Sequence, residues 1–255
     1  MKVCCSSHSY DRLFATGDLT QLEWVDLCAN ELELDGVEFA LAHFPRFDPD
    51  YVAQLKKLCV DRCLTVAGVL HDTPIDARSI DEHVERVRSS LDVACALGAP
   101  IVRCSISGVA GPEAIAWRET IRGLKAACVS AKERNITLAL EPQTGSLVAD
   151  AVQAKRAVKE CDSAWLRLAP DASMLAQPSR ETWDEIMPAA VIVVVPMRAV
   201  DAFGAEESVD YISAFSFLRK ERFRGFLTLE YSGAEAERPA VARAVAWLRT
   251  MPPSV

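Results

Sequence analysis

Histidine is scarce in this chain. Four occur in 255 residues, and none lies beyond His83. That is too few for a histidine-rich multi-metal site. No apolar run approaches the ~20 residues needed to span a membrane, so no membrane partner is expected. Positive charge is also short. The formal net charge is −8, which argues against general binding to the phosphate backbone of nucleic acid. No Gly-x-Gly-x-x-Gly follows the first apolar run, so a nucleotide cofactor of the dinucleotide-fold kind is not expected. The N-terminal residues enter a strand at once, without the apolar region of a signal peptide. The nine cysteines are odd in number, and most lie inside apolar periodic segments. They read as reduced core thiols of a cytoplasmic protein. Cys59 and Cys63 are four apart on an expected helix and would share a face. No second Cys or His pair matches them, so a structural zinc site is not expected.

What the sequence does have is an alternation. Eight short apolar runs recur about thirty residues apart, each followed by a helix-like stretch. The expected strands are Lys2–Ser6, Gly36–Phe39, Thr65–Leu70, Pro100–Cys104, Ile136–Leu140, Trp165–Leu168, Val191–Val195 and Gly225–Leu229. Near-continuous apolar strands are the mark of a parallel sheet buried on both faces. Strands alternating with helices at this spacing imply right-handed crossovers. Eight units over residues 1–255 point to one (β/α)8 TIM barrel domain. An open doubly wound sheet is the alternative.

The helices carry their own signals. Ser79 and Glu82 have capping-box spacing, with Val84, Val87, Leu91 and Ala94 on one face and Gly98 at the C-terminal cap. Pro112 suits a first helical position, with Trp117, Ile121, Leu124 and Cys128 in register and Asn135 closing the helix. Asp150 can cap a helix that carries Val152, Ala157, Val158 and Cys161 inward. Asp210 can cap one that carries Ile212, Phe215 and Leu218. Placed early in a helix, His83 reads as a surface residue.

Several apolar runs end in a polar or ionisable residue. Ile136-Thr137-Leu138-Ala139-Leu140-Glu141 is the clearest, with counterparts near Glu38, His71, Arg103, Asp171 and Glu230. A carboxylate there is costly unless its charge is used, and the C-terminal strand ends are where barrel active sites are built. Glu141, Asp171 and Glu230 can converge in one mouth and either bind a cation or share protons. Asp171 can equally cap the helix that follows it. His8 and His71 stand at strand ends, as candidate substrate ligands or proton carriers, and His43 lies in a loop nearby. Arg103 and Arg198 offer planar forks of donors for phosphate, carboxylate or hydroxyl. Alternatively, a guanidinium neutralises the three carboxylates in place of a metal. Phe44, Phe47 and Tyr231 either face a sugar ring or pack loops. The five tryptophans read as packing.

Asp35-Gly36-Val37-Glu38, Leu97-Gly98-Ala99-Pro100-Ile101-Val102-Arg103, Asn135 through Glu141, Asp171 and Leu229-Glu230 together resemble the xylose isomerase-like barrels. That family comprises sugar and sugar-phosphate isomerases and epimerases, with the family 2 apurinic endonucleases. The resemblance spans the chain. It implies a small carbohydrate or sugar phosphate as ligand; the oligomeric state is left open by the sequence, a homo-oligomer among the alternatives. It also implies a divalent metal held by Glu, Asp, His and Glu from strands five to eight, with the two glutamates moving a proton beside a carbonyl. Glu141, Asp171 and Glu230 match three of these ligand positions, and Glu141 and Glu230 match the catalytic pair. Glu38, His8, His71, Arg103, Gln143 and Arg198 are then the substrate-binding candidates.

The chain departs from that pattern where the strand-seven His belongs. The segment reads Val193-Val194-Val195-Pro196-Met197-Arg198, and Pro196 has no side-chain ligand atom. Met174 stands where relatives often have a further His, and Gln143 where many have a His or Asn. Three carboxylates with water suit magnesium or manganese better than zinc. The function expected is a sugar isomerase or epimerase with a degenerate metal site. The alternatives are a non-catalytic sugar-binding barrel and a lyase of the inosose- or dehydroshikimate-dehydratase kind.

Overall fold

The eight apolar runs form eight parallel strands in a computed structural model that describes residues 1–108, 111–176 and 181–251. They are β1 (Lys2–Ser6), β2 (Gly36–Ala40), β3 (Thr65–Leu70), β4 (Ile101–Ser105), β5 (Thr137–Glu141), β6 (Leu166–Leu168), β7 (Ile192–Met197) and β8 (Phe226–Tyr231). Several end one or two residues later than the apolar pattern suggests. β5 takes in Glu141 and β8 takes in Glu230, because the ladder continues past the last apolar residue: Ser105 pairs with Glu141 and Pro196 with Glu230.

The sheet runs in the order β6-β5-β4-β3-β2-β1-β8-β7. It closes between β6 and β7 through two backbone bonds, Val191 N–H to Leu168 O and Val194 N–H to Pro170 O, each 3.0 Å. Pro170 lacks an N–H but still offers its carbonyl, so the short β6 can complete the barrel. The (β/α)8 expectation holds, and the open-sheet alternative falls.

The helices are α1 (Asp11–Thr16), α2 (Gln21–Asn30), α3 (Pro49–Asp61), α4 (Ile80–Leu97), α5 (Glu113–Glu133), α6 (Ala151–Cys161), α7 (Ala172–Leu175), α8 (Glu181–Ile186), α9 (Tyr211–Lys220) and α10 (Glu237–Thr250). The outward strand faces, with Val102, Cys104, Leu138, Leu140, Val193 and Leu227 among them, pack on these helices in one large core. A smaller inner cluster of Ile101, Ala139, Ala169 and Ile192, with Phe226 against it, fills the barrel. Because strand side chains alternate faces, residues two further on share that inner face. This places Arg103, Glu141 and Asp171 above Ile101, Ala139 and Ala169, and Glu230 four beyond Phe226.

Local signals were read with mixed success. Gly98 (φ +80°) and Asn135 (φ +56°) stop their helices in the left-handed region as expected. Asp150 accepts from the N–H groups of Val152 and Gln153, and Asp210 from Ser213. The Ser79–Glu82 box does not form. Ser79 makes no side-chain cap bond, Asp76 caps the preceding 3-10 turn instead, and Glu82 pairs with Arg86. Pro112 is the N-cap rather than the first helical residue. Val152 and Ile212, expected inward, are exposed, because each sits in the first turn of its helix facing solvent. Cys63 lies past the end of α3 at φ +57° and shares no face with the buried Cys59. His83 is buried on α4 rather than exposed. All nine cysteines are free thiols. Among the described residues no helix is long and apolar enough to cross a membrane.

The Asp150 cap satisfies two N–H groups that have no partner inside the helix. Asp150→Ala is therefore expected to cost about 1 kcal/mol of stability, measured as a lower urea midpoint with an unchanged slope.

Candidate functional site

The inner face of the strands brings one cation among three carboxylates. Arg103 rises from β4 and is 1% exposed. Its Nε donates to Glu38 Oε1 at 3.0 Å and its Nη2 to Glu38 Oε2 at 2.7 Å, a fork onto one carboxylate from β2. Nη1 donates to Glu141 Oε2 on β5 at 2.5 Å, and Nη2 to Glu230 Oε2 on β8 at 2.6 Å. Glu38 is fully buried and Glu141 nearly so, whereas the Glu230 side chain keeps 28% of its surface. Glu38 and Arg103, candidates for touching substrate, thus lie beneath the mouth and hold each other.

Burial pushes the Glu141 carboxyl above the ordinary range. Arg103 opposes this, and Glu230 adds to it. Gln143 Nε2 donates to the other Glu141 oxygen at 3.3 Å, so Gln143 does stand beside the site. Burial likewise raises Asp171, against its bond from the Ser173 N–H and the pull of Arg198, with Glu230 again pushing upward. Asp171 faces the mouth but caps α7, accepting from Ser173 N–H at 2.7 Å. Of the two roles weighed for it, the helix cap is the one the structure shows. Arg198 is exposed at the end of β7. Its N–H and that of Ala199 are held by Glu206 Oε2 at 2.5 and 2.9 Å, so a buried glutamate that the sequence reading passed over shapes that loop.

A second polar chain lines the β1–β3 side. His8 Nε2 meets Asp72 Oδ1 at 2.6 Å, and its Nδ1 lies 3.4 Å from Asp11. Asp11 also pairs with His43 at 3.0 Å, and His43 Nδ1 bonds Ser7 Oγ at 2.8 Å. Burial disfavours charge on His8, yet the bonds to Asp11 and Asp72 carry its pKa up to about 10. His8 is therefore an imidazolium at neutral pH. Asp72 and Asp11 were not singled out from sequence. No apolar run ends on either, and only the fold brings them to His8.

Two crevices of 690 and 580 Å3 open beside this chain. Asp11, His43, Gln21 and Tyr51 line the first. His71, Asp72, Phe47 and Ser90 line the second. Of the aromatic candidates, Phe47 is exposed and stacks on the buried Phe44 at 5.3 Å. Tyr231 is buried, with its hydroxyl donating to Glu235 O. Trp24, Trp117 and Trp183 are core residues.

The donor set does not fit the divalent metal implied for Glu141, Asp171 and Glu230. One oxygen of each glutamate accepts from Arg103, Asp171 caps a helix, and Pro196 occupies the strand-seven place. Among the described residues no three His, Cys, Asp or Glu side chains are grouped to hold an ion.

A family model described as xylose isomerase-like TIM barrel matches residues 27–251. None of the curated proteins compared with the chain matches it. Among solved structures, a family 2 AP endonuclease from Brucella melitensis superposes with a TM-score of 0.77 at 19% identity, over 99% of this chain and 100% of its own. A D-allulose 3-epimerase from Methylomonas sp., in complex with D-allulose, gives 0.78 at 15% identity over 99% and 97%. A D-psicose 3-epimerase from Clostridium cellulolyticum H10, with D-tagatose, gives 0.81 at 11% over 98% and 99%. At these identities the likenesses speak to the fold.

His71 requires a correction. Expected at the mouth, it points the other way, since Gly68 and Asp72 take the inner face of its segment. Its Nδ1 lies 2.8 Å from Ser90 Oγ on α4. Ser90 spends its own proton on Arg86 O, so the imidazole must donate there. Burial lowers the His71 pKa from 6.5 to about 4. An unfolded chain takes up a proton near 6.5, and the folded one resists until about 4. Stability is therefore full above that window and falls as pH drops through it, by roughly 3 kcal/mol. His71→Asn should flatten this segment of the curve, checked by urea titrations at several pH values between the two limits.

Proposed function

Because the chain belongs to the xylose isomerase-like TIM-barrel family, we propose that it moves a proton next to the carbonyl of a small sugar or sugar phosphate, as an isomerase or epimerase. The observation that carries this reading is the pair Glu141 and Glu230. They come from strands three apart round the barrel and are bonded to the two ends of one guanidinium. Their surroundings differ. Glu230 is the more open to the mouth and is the base that takes the proton from carbon. Glu141, which burial biases toward its protonated form, returns one. Two carboxyls in contrasting environments are what such acid–base work requires.

The ligand would lie on Glu230, with Gln143, Asp171, Arg198 and the His8–Asp72 pair around it. Alternating charged donors and acceptors of this kind suit a polyhydroxylated compound, and the exposed Arg198 suits a phosphate or carboxylate. The epimerases among the structural neighbours, two of them with D-allulose or D-tagatose, agree with that class of ligand. A dehydratase would begin with the same proton abstraction and differ by losing water afterwards.

One observation favours a second reading. Arg103 engages both glutamates, and a barrel that only binds a sugar would have no need of a free base. The test is solvent-deuterium exchange into ketoses, their phosphates and inososes. Exchange is expected with at least one of them, and Glu141→Gln and Glu230→Gln should each slow it by ~10²–10⁴-fold while ligand binding persists. Measurable binding with no exchange on any compound would establish the non-catalytic reading. Loss of water from the exchanged compound would identify a lyase.

A further inference from the structure

We propose that Arg103 is the resident cation of this site: its guanidinium takes the place a divalent ion would hold between Glu141 and Glu230, and the protein needs no such metal. The role of this charge in the reaction rests on the proton-transfer reading above. Its placement rests on geometry alone.

Four of the five N–H groups of Arg103 end on carboxylate oxygens. A magnesium or manganese ion needs near-octahedral oxygen ligands. Here the Oε2 atoms of both Glu141 and Glu230 already accept from the guanidinium. A second cation beside a buried guanidinium would also be repelled by it. The rest of a metal shell is turned to other tasks. Asp171 accepts the Ser173 N–H, and at the strand-seven place Pro196 has only its carbonyl, which accepts from the Tyr211 hydroxyl.

The barrel is built around this arrangement at two further points. Glu38 is fully buried, and both its oxygens accept from Arg103. It anchors the cation from below, leaving the opposite side of the guanidinium to Glu141 and Glu230. To do so it must reach from β2 to β4 across β3. The residue of β3 in register with Glu38 is Gly68. A Cβ added there would stand 3.6 Å from Glu38 Oε1 and 3.4 Å from Ile101 O. A methyl group fits, but a branched side chain would lie in the path of the bridge. An absent side chain on the middle strand is thus what lets the anchor pass.

Arg103 is too deeply buried to meet a substrate oxygen directly, as a metal ion would. It acts as a positioning residue. Its charge allows two glutamates to share one site, and one bond to each, from Nη1 to Glu141 and from Nη2 to Glu230, holds their carboxylates in place.

The experiment is Mn2+ binding to the metal-stripped full chain, followed by electron paramagnetic resonance and calorimetry. Wild type should bind no stoichiometric Mn2+ at millimolar concentration. Arg103→Ala removes the cation but keeps the glutamates, and it should gain one bound Mn2+, lost again in Arg103→Ala/Glu230→Gln. Guanidinium ion added to Arg103→Ala should displace the Mn2+, which a merely structural role for the arginine would not produce. A folded Arg103→Ala that binds no Mn2+ would overturn the inference. Should that variant fail to fold, wild type decides alone: a stoichiometric ion abolished by Glu230→Gln overturns the inference, and no ion supports it. Metal-free wild type that exchanges no substrate would sink the proposed function yet leave this placement standing. Stoichiometric metal together with exchange would do the reverse.

Discussion

One guanidinium set among three carboxylates leaves an excess of negative charge out of water, and the centre of the barrel is arranged to make that tolerable. Removing one partner from a buried ion cluster typically costs about 3–5 kcal/mol, because the remaining charge has lost its compensation. The surface pairs Lys57–Asp61 and Arg86–Glu82 belong to a class worth only ~0–1 kcal/mol each. The interior cluster therefore outweighs any one of them. It relieves its excess charge in three ways. Glu38 is held by two parallel bonds, Glu141 is biased toward protonation, and Glu230 remains in contact with water.

That arrangement grades the mouth by depth. At the bottom, Glu38 and Arg103 are closed off from water, with the guanidinium bonded to the two glutamates above it. Above them Glu141 is nearly buried and Glu230 is the more open of the two. Round the rim, the chain Ser7–His43–Asp11–His8–Asp72 fixes an imidazolium near the end of β1, and the exposed Arg198 follows β7, two strands away. The protein is acidic overall, but its mouth sets positive groups beside negative ones. The two crevices lie outside this ring, against α1 to α4, and are lined by neither Glu141 nor Glu230.

Much of this was readable before any coordinates, and the reason is periodic. A buried parallel strand must be apolar on both faces, so a glutamate closing such a run stands out. Glu141 and Glu230 were singled out this way, whereas the missing ligand at Pro196 came from the resemblance to the xylose isomerase-like barrels. Arg103 was read as either a substrate ligand or a stand-in for metal. The structure sets its guanidinium on Glu38, Glu141 and Glu230 and makes no bond from it to Asp171, because only the closed barrel brings β2, β5 and β8 around β4. His71 was misread for the same periodic reason. It follows an apolar run just as Glu141 does, but one residue of phase separates the mouth from the helix side, and the register of β3 settles that phase. Asp72, one position later, is the residue that reaches His8.

The sequence by itself determined the eightfold alternation, the parallel sheet and the identity of the ionisable strand ends, because hydrophobic pattern and chain spacing are local properties. It also determined that no histidine stands at the end of β7. Tertiary structure alone decided which charges meet. The bond from Arg103 to Glu38 joins residues 65 apart in the chain, and the bond to Glu230 joins residues 127 apart. Both depend on strand register, on the empty place at Gly68 and on closure between β6 and β7. Arg103 reaches Glu141 and Glu230 because the register and closure of the barrel bring β5 and β8 round to β4.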